Sequence, residues 1–216
     1  MSWALLYRDL VFLLLVTGTV LLIWHRVLTP RVFWSRVQYF TIVSNILSFG
    51  YLTALAAGAD WPFLYTPSCR FYIAASMLTT CIMYHFMVAP GAIKTHRLND
   101  VEFEHYSAYN FLLHYIVPIL LTADWIFFTD KDEASWTLVI TWMVIPAAYT
   151  VFIYIRAWLT IALHGRSNLY PYTFLDPRLH PWHQVIRNIL IVGAIFFAIG
   201  LVTYGAGMIV PKALLS

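Results

Sequence analysis

Two residues that could act as nucleophile and base lie in separate apolar segments of this chain, Thr41 in the second and His114 in the fourth. A threonine hydroxyl attacks poorly until a neighbouring base takes its proton. Histidine does this near neutral pH and can then hand the proton to a leaving group. Asn45, His85, Asn110, Arg156 and Asn188 also stand within long apolar stretches or near their ends. A bilayer core makes polar groups costly, so proteins keep them there where they bind or react. Asn45, Asn110 or a backbone N–H could orient the imidazole or stabilise an oxyanion. His85 could assist His114 or hold substrate, and Arg156 could grip a carboxylate through two parallel bonds. Each has a plainer alternative. Threonine in a membrane helix commonly bonds its own backbone, His85 could tie two helices together, and Arg156 could reach out to the interface.

The elements that must position these residues are six apolar segments, at about 5–25, 38–57, 69–90, 108–129, 136–161 and 187–210. They predict an all-α integral membrane protein, a bundle of six transmembrane helices forming one domain over 1–216, since helices satisfy their own backbone in lipid. Counting 1.5 Å per residue from each segment end puts Thr41, His85, His114, Arg156 and Asn188 at similar depth, on the side of loops one, three and five. Thr41 and Asn45 are four apart, as are Asn110 and His114, so each pair shares a helix face. The pattern predicts a polar chamber opening toward one membrane face. Asp124 is the exception: it lies toward the opposite surface and reads as a boundary residue or the partner of a buried hydroxyl.

Composition agrees with this class. The chain has 216 residues, 61% of them hydrophobic and 11% charged, with a mean hydropathy of +0.73. Trp3, Trp24, Trp61 and Trp136 fall near segment ends, as interfacial anchors do. A net charge of +3 with no basic stripe gives no nucleic-acid surface. Nine basic residues lie on loops one, three and five or the adjoining helix ends and four on the other side, which predicts those loops in the cytoplasm. The first segment lacks a small-residue cleavage site and reads as a retained helix. Cys69 and Cys81 are too far apart on one helix for a disulfide. His25 reads as interfacial, and His96, His105, His164, His180 and His183 as loop residues. The stretch Tyr170 to Asp176 reads as an anchored interfacial turn or a substrate-entry lip.

Several short motifs run in order along the chain: Tyr39-Phe40-Thr41-Ile42-Val43-Ser44-Asn45, Tyr84-His85-Phe86-Met87-Val88-Ala89-Pro90, Asn110-Phe111-Leu112-Leu113-His114-Tyr115-Ile116-Val117-Pro118 with Asp124-Trp125, Pro146-Ala147-Ala148-Tyr149, and Tyr170-Pro171-Tyr172-Thr173-Phe174-Leu175-Asp176. Over about residues 38–190 the chain resembles the bacterial branch of the androgen-induced-gene superfamily of six-pass membrane proteins. Animal members are threonine hydrolases of fatty acid esters of hydroxy fatty acids, with an essential Thr in the second helix and His in the fourth. The resemblance implies Thr41 as nucleophile, His114 as base, a lipid ester substrate, no metal or organic cofactor, and residence in a bacterial inner membrane. A related branch implies acyl transfer between lipids on the same site. Two other classes stay open on the residues alone: a haem held between His85 and His114, and a small-molecule transporter, which would call for an internal repeat that the sequence lacks.

Overall fold

The computed structural model describes residues 3–26, 37–88, 107–164 and 169–210, which form six helices with no β-sheet among them. α1 spans Trp3–Arg26 and α2 Phe40–Ala56. α3 runs Pro67–Met83 and widens into a π turn over Tyr84–Val88. α4 begins at Ala108–Phe111, widens over Leu112–Ile116 and continues as Val117–Phe128. α5 consists of Leu138–Thr141 and Val144–His164, and α6 is Trp182–Ile209. Stretches in α1, α4, α5 and α6 are long and apolar enough to cross a membrane, which marks a multi-pass integral membrane protein; α2 is a shorter apolar helix. Their outer faces carry exposed Val151, Ile155, Trp158, Leu190, Leu201 and Val202, a surface suited to lipid.

The helix limits have local causes. Thr66 Oγ1 accepts from Cys69 N at 3.2 Å and Pro67 follows it, a capped start with proline in the first turn. α2 stops at Gly58, whose φ of +65° suits a residue without Cβ. Prolines explain the irregular turns. Pro118 has no N–H for the His114 carbonyl, and the π turn of α4 ends just before it. Pro146 likewise cannot reach Trp142 O, which accepts instead from Ile145 N at 2.9 Å where α5 breaks. α6 starts at Trp182, earlier than the expected 187, so His183 is a residue of that helix and not of a loop; His164 is the last residue of α5.

α3 sits at the centre and packs against α2, α4 and α6. Surrounded by protein, it can carry Arg70, Ser76, Thr79 and Thr80. Two indoles fix α6 against the core. A Cβ on Gly200 would come within 2.3 Å of Trp142 Nε1, and one on Gly207 within 2.3 Å of Trp125 Nε1. Both rings are fully buried, and Trp125 Nε1 donates to Thr203 O at 2.9 Å. Overfilling such contacts costs about 1–3 kcal/mol, so Gly200→Ala and Gly207→Ala should each lower the unfolding midpoint in detergent. Gly193→Ala, with open space at its Cβ, should not.

Candidate active site

Thr41 and Asn45 lie on α2, His85 and His114 on the two π turns, and Asn110 in the helical turn just before the second of these. Thr41 is in the first turn of α2, ahead of any carbonyl of its own helix four residues back. Thr19, Thr122, Thr160 and Thr203 each donate to such a carbonyl at 2.8 Å, the usual fate of a membrane threonine. The Thr41 hydroxyl is not drawn into its own helix in this way. Its carbonyl instead accepts from Ser44 Oγ at 3.0 Å and Asn45 Nδ2 at 2.8 Å.

Asn45 ties α2 to α4. Its Nδ2 also donates to Leu113 O at 3.3 Å, the residue before His114. With both amide hydrogens committed, Asn45 braces the helices and has none left for an oxyanion. Leu113 is pressed from the other side by Gly18 of α1, where a Cβ would meet its Cδ2 at 2.9 Å. The π turn carrying His114 is therefore held between α1 and α2.

His114 is half-buried and packs against Tyr84, with ring centroids 3.9 Å apart and the rings tilted by 36°. Its Nδ1 lies 3.0 Å from Asn110 O, and a carbonyl can only accept. Nδ1 thus carries the proton, and Nε2 is the basic nitrogen. The backbone of Asn110 orients the imidazole, while its side chain does something else: Nδ2 donates to the buried Tyr84 hydroxyl. Tyr84 thus touches both members of the i, i+4 pair, the His114 ring and the Asn110 amide. Sequence reasoning gave Tyr84 no role; its place beside His85 in the motif was the available signal.

The remaining residues stand further apart. His85 is exposed, and its Nδ1 lies 3.2 Å from Tyr115 Oη. The two histidines thus have separate partners on the neighbouring π turns, and among the described residues no group of three or more His, Cys, Asp or Glu is arranged to hold a metal. Arg156 does not reach out to the interface: it is 2% exposed and donates from Nη1 to Leu169 O at 3.1 Å. Asn188 Nδ2 donates to Phe174 O at 3.3 Å. Both side chains therefore hold the fifth loop. Tyr154 Oη adds a bond to Leu175 O at 2.9 Å, and Tyr172 stacks on Phe174 at 5.4 Å. Asp176, fully buried, takes Arg178 Nε and Nη2 at 2.9 and 2.6 Å, and this hydrogen bonding raises the Arg178 pKa. The loop from Leu169 to Asp176 is an anchored turn packed on the bundle. His96 and His105 lie outside the described residues, as do the side chains of His25 and His164.

Asp124 lies at the opposite end of the bundle, and its partner is a cation and not a hydroxyl. Arg8 Nε meets its Oδ1 at 2.8 Å, with the carboxylate side chain only 4% exposed. Arg8 Nη2 and Arg70 Nη1 also donate to Phe128 O, at 3.0 and 3.3 Å, and Lys131 Nζ to Ile126 O at 2.8 Å. Three cations thus collect the last carbonyls of α4. A shallow apolar groove of about 620 Å³ lies at this end too, along α1 between Trp3, Leu6, Leu10, Leu13 and Phe128, well away from Thr41. No protein-family model matches the chain, and no curated protein or solved structure matches it either.

Proposed function

We propose that this protein is an intramembrane hydrolase of lipid esters, with Thr41 as nucleophile and His114 as general base. One observation carries the reading. The Thr41 hydroxyl is not taken up by its own helix, and the same helix face is tied through Asn45 to the residue next to His114, whose Nε2 is the basic nitrogen. Thr41 Oγ1 attacks the ester carbonyl carbon while Nε2 takes its proton, and Nε2 then protonates the departing alkoxide. Water cleaves the resulting acyl-threonine and restores the hydroxyl. Asn45 and Asn110 position the pair.

In this reading all six helices cross the membrane, with loops one, three and five in the cytoplasm. The substrate is an ester whose chains already lie in the leaflet; fatty acid esters of hydroxy fatty acids fit this chemistry, and membrane lipids are the surrounding partners. The test is covalent labelling. A fluorophosphonate probe should modify the wild-type protein at Thr41, with the adduct located by peptide mass spectrometry. Labelling at another residue, or undiminished labelling of Thr41→Ala, would overturn the assignment.

A further inference from the structure

α2 and α3 are antiparallel neighbours, and a 2.7 Å contact between Ser44 Oγ and Thr80 Oγ1 sets their register. One turn further from Thr41 along α2 stands Ser48, and the matching step back along α3 gives Ser76. Both are buried, at 0% and 1% exposure, yet neither hydroxyl has a hydrogen-bond partner among the described residues. The same holds for Asn45 Oδ1 and Thr79 Oγ1 beside them, and for Tyr51 Oη one turn beyond Ser48. Past Tyr51 the seam approaches the ion-pair end, where Arg70 Nε is buried and unpartnered too.

Threonines elsewhere in the bundle satisfy themselves on backbone carbonyls, so this concentration belongs to the seam. A buried hydroxyl or amide oxygen without a partner costs about 1–3 kcal/mol. Five in one seam would be a heavy load for a membrane bundle. Ordered water, making two to four hydrogen bonds per molecule, is the general solution for such groups. The side chains at 44, 48, 76 and 80 are all small.

We propose that the α2–α3 seam binds a file of ordered water molecules running from Asn45 past Ser48 and Ser76 to Tyr51, and that this file delivers the water that cleaves the acyl-threonine. The second half rests on the hydrolase reading; the first does not. In the delivery step, water oxygen bonds to the acyl carbon, the bond from that carbon to Thr41 Oγ1 breaks, and one water proton passes through His114 to the threonine oxygen. The free acid then leaves.

Radiolytic hydroxyl labelling of the protein in lipid nanodiscs reads the hydration directly, because buried side chains are oxidised only where water lies beside them. Tyr51 and Met77, the latter next to Ser76 and fully buried, should be labelled well above the equally buried Phe71. Ser48→Ala with Ser76→Ala should reduce that labelling several-fold, and Ser48→Thr, which retains a hydroxyl, should preserve it. Tyr51 and Met77 labelling no higher than that of Phe71 in the wild type would overturn the file without any variant. In the Ser48→Ala/Ser76→Ala protein the acyl-threonine should accumulate after mixing with ester, while its rate of formation is unchanged. Normal hydration without an acyl-enzyme in any variant would sink the hydrolase reading and leave the water file standing. Reduced labelling in the double variant with unchanged acyl-enzyme breakdown would overturn the delivery role.

Discussion

Purified Thr41→Ala protein should hydrolyse a fluorogenic medium-chain ester at least about a thousandfold more slowly than wild type, because without the hydroxyl no acyl-enzyme forms. His114→Ala should lose a comparable amount, and about a hundredfold would be the floor for a general base. Combining the two should be little worse than either alone, since nucleophile and base act as a unit. Thr41→Ser should keep part of the activity. Size-exclusion profiles and unfolding midpoints must match wild type for the comparison to hold; Thr41 is only half-buried, so its truncation should not unfold the bundle. A well-folded Thr41→Ala protein with full activity would end the threonine mechanism. Additive losses in the double variant would mean that the two residues work in separate steps.

The second large effect concerns stability at the other end. Arg8→Met leaves the Asp124 carboxylate buried and without its 2.8 Å partner. Breaking one side of such a pair typically costs about 3–5 kcal/mol. Arg70 remains close, but its Nη1 is already on Phe128 O. Asp124→Leu should be costly as well, since Arg8 then keeps its desolvation and only the Phe128 carbonyl. The double variant should recover most of the loss, because apolar side chains remove both charges together. Denaturant titration in detergent, followed by tryptophan fluorescence, measures all four proteins. If the double variant is as unstable as the sum of the singles, the pair is not the coupled unit its geometry implies.

Hydropathy made the helices readable, because each must cover its own backbone in lipid. The spacing of Asn110 and His114 also read through: four residues apart, they meet by a backbone carbonyl and a ring nitrogen. What Asn110 does with its side chain was not readable, since the Tyr84 hydroxyl comes from another helix. Arg8 and Asp124 are 116 residues apart, so no local pattern joins them. The burial of Arg156 beneath Leu169 O was hidden for a related reason, as a long side chain near a helix end can turn either way. The hydroxyl seam left a faint trace in the four-residue steps from 44 to 48 and 76 to 80. Such residues usually bond their own helix, and only the pairing of α2 with α3 reveals that Ser48 and Ser76 do not.

The notches in α6 have a consequence for orientation. This helix is greasy around most of its circumference, with Leu190, Ile191, Leu201, Val202 and Ile209 all outside. Water tells an amphipathic helix which side to turn inward, but a bilayer gives an oily cylinder almost no such instruction. Here the instruction is written in volume. Gly200 and Gly207 are two turns apart on one side, and each admits the edge of an indole. A missing methyl thus acts as a keyway, setting both the azimuth and the height at which α6 locks. Inserting one residue between the two glycines would turn the second keyway by about 100°. The inserted helix would still enter the membrane, but only one of the two indoles could be seated at a time.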